Sequence, residues 1–229
     1  MVTDPNLPLL ESAAQKLKPF LEEIAFVGGI TLGLLITDTG AAPIRGTKDV
    51  DVIAEITTIS DYLIFSQRLR EAHFTEDAGE KPILCRWHNG GLILDVLPLD
   101  KDVLGYTNIW YKSALEKSSL FKLPLGSTIR VITAPFFLGT KMEAFRGRGH
   151  RDFFASHDLE DFVAVIDGRD SVLDEIRVSP NNLQKYLADA AKELLLEDRF
   201  RDALPGYVMG EDERVSLIIA DLEEIAQLG

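Results

Sequence analysis

Two aspartates, Asp49 and Asp51, open the run Asp49-Val50-Asp51-Val52-Ile53-Ala54, whose alternation and β-rich composition predict a strand. Side chains at i and i+2 of a strand project from one face. The spacing therefore predicts two carboxylates side by side, and like charges that close repel unless a cation lies between them. An oxygen-only carboxylate site suits Mg²⁺, which also takes substrate phosphates as ligands. The plain alternative is a solvated strand edge. A third acid, Asp95, sits inside the apolar run Leu92-Ile93-Leu94-Asp95-Val96-Leu97. An isolated charge is costly to bury, so Asp95 needs a metal ion, an arginine, or solvent on an open face. The metal takes precedence, because a hairpin can lay this strand beside Asp49 and Asp51. Gly28-Gly29 falls between an apolar burst and a helical pattern. Glycines there let backbone N–H groups approach an anion, and a helix start favours negative charge. Taken alone, the pair is a tight turn.

The elements that must position these residues follow from periodicity. Leu9 to Ile24 repeats apolar residues at steps of three and four, which predicts a helix, with Pro19 as a kink or end. Ala25-Phe26-Val27 reads as a strand and Ile30 to Ile36 as a helix. Ser60 to Ala72 reads as a helix with Ser60 as N-cap. Ile83 to Trp87, the turn His88-Asn89-Gly90-Gly91 and Leu92 to Leu97 make a hairpin, and Thr128 to Ile132 one more strand. Helical patterns then cover Pro135 to Phe145, His157 to Ile166, Asn181 to Asp198 and Glu211 to Gln227. The expected class is α+β: a mixed sheet flanked by helices over residues 1–133, then a helical domain over 134–229.

Composition sets the outer bounds. The 229 residues are 46% hydrophobic and 27% charged, a folded composition. The net charge of −13 excludes a broad cationic surface of the kind that grips nucleic acid nonspecifically. The one cysteine, Cys85, excludes an internal disulfide framework and a cysteine-based zinc cluster, and fits a reducing cytoplasm. The longest apolar run, Gly28 to Ile36, is far short of the roughly 20 residues a membrane span needs, and the start of the chain carries no targeting pattern.

Gly28-Gly29, Asp49-x-Asp51 and the strand-borne Asp95 together resemble the signature of the polymerase-β-like nucleotidyltransferase superfamily. A finer likeness follows in the second half. Lys141-x-x-Ala144-x-x-x-Arg148, then His157-Asp158-Leu159-x-Asp161, is similar to the abortive-infection type nucleotidyltransferase toxins of toxin–antitoxin pairs. The interval between Gly29 and Asp49 is longer than the compact family form, and Arg151-Asp152 is a second candidate for the basic–Asp element.

The resemblance implies transfer of a nucleoside monophosphate from an NTP to an acceptor hydroxyl on tRNA or protein, with a cognate antitoxin as partner. A small-molecule acceptor is the alternative, and a decayed binding module a third. It implies Mg²⁺ at Asp49, Asp51 and Asp95 in a two-metal arrangement. Lys141 and Asp161 would complete the catalytic set. Gly28, Gly29, Thr31, Arg45, Thr47, Lys48, Arg148 and Asp158 would hold the nucleotide. Thr31 would stand in for the family's serine, and Arg45, Lys48 and Lys141 would neutralise phosphate.

Overall fold

The structure, a computed structural model, describes residues 4–147, 152–209 and 212–229. Its sheet is organised by one tight hairpin. Gly90 and Gly91 both take positive φ, 53° and 87°, the backbone that a two-residue hairpin loop requires. They join β4 (Arg86–Asn89) to β5 (Leu92–Leu97). The turn is thus two residues long rather than four, and strand pairing begins at Arg86 rather than Ile83. That register sets Arg86 opposite Asp95.

The remaining strands are β1 (Ile24–Val27), β2 (Asp49–Ala54), β3 (Thr75–Glu76), β6 (Ser119–Lys122) and β7 (Thr128–Val131). The order across the seven-stranded sheet is β3-β4-β5-β2-β1-β7-β6. Strand β2 runs parallel to β5 and antiparallel to β1, and β7 runs parallel to β1, so the sheet is mixed. The centre is apolar on both faces: Ala25, Phe26, Val50, Val52, Ile53 and Leu94 are all fully buried. The edge strand β6, Ser-Leu-Phe-Lys with every residue exposed, has no burial pattern to announce it.

The helices are α1 (Leu7–Lys16), α2 (Leu32–Leu35), α3 (Ile59–Glu71), α4 (Lys101–Leu104), α5 (Tyr111–Glu116), α6 (Ala134–Gly147), α7 (His157–Gly168), α8 (Val172–Arg177), α9 (Asn181–Leu195), α10 (Asp198–Tyr207) and α11 (Asp212–Ala226). Several differ from the sequence reading. The helix expected to run to Ile24 ends at Lys16, and a 3₁₀ turn follows at Lys18–Phe20, because Pro19 cannot continue the α ladder. The cap of α3 is Thr58 rather than Ser60. Thr58 accepts from the Asp61 N–H, and the Asp61 side chain accepts from the Thr58 N–H in a capping box. The helix expected after Gly28-Gly29 is one 3₁₀ turn (Gly29–Thr31) and one α turn, α2. The long pattern from Asn181 breaks after Leu195, and α10 follows. Among the described residues no helix is long and apolar enough to cross a membrane.

The chain forms two compact units. One comprises Asp4–Thr31 and Arg45–Thr133 and carries all of the strands. In it, α1 buries Leu10, Ala13 and Ala14, and Leu17 just beyond its end is buried too. The other comprises Leu32–Ile44 and Ala134–Gly229. The segment 32–44 therefore packs with the C-terminal helices, across the 133/134 boundary expected from composition. Polar ties help to hold it there. The Gly168 carbonyl accepts from the N–H groups of Thr37 and Asp38, at 2.7 and 2.9 Å. The Arg169 guanidinium donates to the Leu35 carbonyl at 2.6 Å. Arg214 bridges Asp167 and Asp38, each at 2.8 Å.

Candidate active site

Strand register assembles the site. Asp51 pairs with Asp95 across the parallel β2–β5 ladder, and Asp49 precedes Asp51 by two residues. Partners in register share a face, as do residues two apart on one strand. Asp49, Asp51 and Asp95 therefore lie on one face of adjacent strands. On the other side of β2, Val27 pairs with Asp51, and the chain bends at the next residue, Gly28. Gly28 has φ +73°, and a Cβ placed there would stand 2.3 Å from Asp51 Oδ2. Only glycine combines that backbone with so close an approach.

The approach to β2 is pinned by a buried asparagine. The Asn6 side chain accepts from the Thr47 N–H at 2.8 Å and donates to the carbonyls of Arg45 and Gly29, at 3.1 and 3.4 Å. It thereby ties the segment before Asp49 to the glycine bend. The Thr47 hydroxyl in turn donates to Asp49 Oδ1 at 2.9 Å and orients that carboxylate. Asn6 gives no signal in the sequence, since it lies just ahead of a helix with no motif around it.

Asp95 has an arginine as its partner. The Arg86 guanidinium forks onto the Asp95 carboxylate, Nε to Oδ1 at 2.8 Å and Nη2 to Oδ2 at 2.7 Å. The same Nη2 reaches Asp49 Oδ2 at 3.2 Å. Of the partners open to Asp95, an arginine is in contact with it. The reason is the hairpin register, which delivers a cation from the neighbouring strand. The Asp95 hydrogen bond raises the Arg86 pKa, burial opposes the rise, and the charges of Asp95 and Asp49 add to it. The Asp95 side chain is 12% exposed, whereas those of Arg86 and Asp49 are 23% and 37% exposed. Among the described residues no three or more His, Cys, Asp or Glu side chains stand close enough to hold a metal ion. The donor chemistry of the carboxylate face nevertheless fits Mg²⁺: oxygen only, and on one side of the sheet. Arg86 draws two of the three acids toward itself.

The other expected ligands divide. Gly29 begins the 3₁₀ turn behind the bend. Thr31 was expected to offer its hydroxyl to phosphate. It is fully buried instead, and its hydroxyl donates to the Gly28 carbonyl at 2.9 Å, so it closes the turn from behind. Arg45 is partly buried and Lys48 is exposed. Arg148 lies outside the described residues.

In the helical unit, Lys141 of α6 meets two acids of α7, Asp158 Oδ1 at 3.1 Å and Asp161 Oδ2 at 2.7 Å. Lys141, Asp158 and Asp161 are 8%, 7% and 1% exposed. Asp152, the other candidate partner, accepts from the N–H groups of Phe154 and Ala155 and so closes a local turn. Arg146 of α6 is paired with Glu193 at 2.7 Å and lies over the Tyr186 ring.

No protein-family model matches the chain, and no curated protein matches it. Among solved structures, an antigenic nucleotidyltransferase-like protein from Paracoccidioides brasiliensis is similar at 18% identity, covering 92% of this chain and 95% of that chain, with a TM-score of 0.48. A likeness of that degree decides neither activity nor substrate.

Proposed function

We propose that the chain is a nucleotidyltransferase whose active site is the face of β2 and β5 that carries Asp49, Asp51 and Asp95. One observation supports this most: the positive-φ Gly28 bend lies against Asp51 while register sets Asp95 beside it. A bend with no side chain lets the Asp51 carboxylate lie directly against the backbone.

The residues take distinct roles. Asp49 and Asp51, with Asp95 once Arg86 has withdrawn, would hold Mg²⁺, which when bound neutralises the triphosphate and makes the attacking hydroxyl more acidic. Thr47 orients Asp49 through its hydroxyl, and Asn6 keeps the approach to β2 fixed to the bend. Arg45 and Lys48, on the same approach, supply positive charge for the phosphates. The protein's work is positioning and charge stabilisation, as in other phosphoryl chemistry. The acceptor is a hydroxyl of a protein or a small molecule. The net charge of −13, with Arg146 already committed to Glu193, disfavours a long RNA. A toxin role rests on Lys141, Asp158 and Asp161 alone.

The test is incubation of the chain with α-labelled NTPs, Mg²⁺, and separate protein, tRNA and small-molecule pools. Label should enter the protein or small-molecule pool, with release of pyrophosphate. D49N/D51N should remove transfer while leaving the melting profile intact. Turnover that survives that double change rejects the site. Growth arrest on expression, relieved by D51A, would support the toxin role.

A further inference from the structure

The carboxylate face already holds a cation. Arg86 neutralises Asp95 with a two-toothed fork and reaches Asp49 with the same Nη2. Asp49 is thus drawn from two sides, by Arg86 at Oδ2 and by the Thr47 hydroxyl at Oδ1. A divalent ion shared by Asp49 and Asp95 would sit on the same oxygens as the guanidinium. Two cations that close repel, so each weakens the other's hold. The Arg86 side chain is also partly open to solvent, so it has somewhere to go. Carboxylate and phosphate oxygens accept the same bidentate fork, which makes a polyphosphate the group able to draw it off.

We propose that Arg86 is a resident counter-ion that competes with divalent cations for Asp49 and Asp95, so that metal binds this face weakly until a polyphosphate takes the guanidinium. The device rests on the nucleotidyltransferase reading for its ligand, but the competition itself is a property of the three side chains. It makes metal entry and nucleotide entry a coupled event: each removes a cost that the other would otherwise meet.

The experiment titrates Mn²⁺ alone into the full chain and follows free Mn²⁺ by electron paramagnetic resonance. Arg86→Gln should bind Mn²⁺ about tenfold more tightly than the unaltered chain, since a positive charge in contact with the ligands is gone. Asp95→Asn and the doubly changed R86Q/D95N form a second pair that differs only in Arg86 and leaves no unpaired acid at 95. The double variant should bind about threefold more tightly than D95N, through Asp49 and Asp51. This pair decides the matter if R86Q proves unstable by circular dichroism. Equal affinities within the pairs overturn the proposal, as does tighter binding when Arg86 is present. Label transfer separates the two readings. Transfer that persists while R86Q leaves Mn²⁺ affinity unmoved rejects the counter-ion and keeps the enzyme. A gain of Mn²⁺ affinity in R86Q with no NTP consumed by any chain keeps the counter-ion and rejects the enzyme. Absence of Mn²⁺ binding in every chain rejects the counter-ion, and label transfer then decides the enzyme.

Discussion

Arg86 and Lys141 each hold a pair of aspartates, yet their surroundings differ. Lys141, Asp158 and Asp161 are all more than nine-tenths buried, and the Phe137 ring lies 5.6 Å from the ammonium. Arg86 and Asp49 are partly open to solvent, and only Asp95 is buried beside them. Charges withdrawn from water must keep their partners, because a lone buried ion meets the full desolvation penalty. Charges at an open face can exchange partners, because water and ions stand ready to replace them. The helical cluster is therefore built to hold α6 against α7. The sheet cluster is built so that its ions can change.

Four expected outcomes bear on that contrast. The largest is on turnover: D49N/D51N should reduce NTP consumption to background while the melting temperature changes little, since both acids are partly exposed. A large loss of stability there would erase the contrast. The next is on stability. Lys141→Met should cost about 3–5 kcal/mol in urea unfolding, the range for breaking a buried ion pair from one side. A cost under about 1 kcal/mol, the range for exposed pairs, would place Lys141 with the exchangeable group. Gly28→Ala should be intermediate. Its backbone strain is about 1–2 kcal/mol, and the displaced Asp51 carboxylate should lower transfer activity about tenfold or more. Normal activity in G28A would mean that the bend need not be bare.

The smallest effect is a titration. Cys85 is buried and neighbours Arg86 in sequence, and its thiol is pushed up to about 11, chiefly by burial, with the charges of Asp95 and Asp51 adding to the rise. The unperturbed value is 9.0. A group whose folded pKa is raised contributes stability below its unfolded pKa and loses it as pH climbs through the folded one. The chain should therefore lose stability between pH 9.0 and about 11 through this thiol, and Cys85→Ser should flatten that part of the profile. The native thiol should react slowly with iodoacetamide at neutral pH. In D95N it should titrate lower than in the unaltered chain, which makes Cys85 a reporter of the negative charge on the sheet face. No change in D95N would mean that Arg86 already cancels that charge at Cys85.

How much of this could be read in advance depended on the range of the interaction. The pairing of Asp49 with Asp51 on one face follows from strand alternation, and so does the existence of the hairpin, but its turn is Gly90-Gly91 and not the four residues expected. The segment from Pro19 to Phe20 was ambiguous because a proline can end or kink a helix, and its 3₁₀ turn settles which. Strand β6 left no trace because an exposed edge lacks alternation. Thr31 was misjudged because its partner, the Gly28 carbonyl, is a backbone group invisible to residue type. Arg86 was within view as a residue but not as a partner: a hairpin shifted by one residue would have turned it to the opposite face from Asp95.

By itself, then, the order of residues determined the local geometry: alternating strands, a glycine-bearing hairpin, and an acid embedded in apolar sequence that must find a counter-charge. Tertiary structure alone decided which counter-charge it found, which acids Lys141 meets, and that residues 32–44 join the C-terminal helices. The physical reason is that alternation and turn conformation act within a few bonds, whereas ion pairing acts through space. Its outcome is fixed only when register and packing have set the distances.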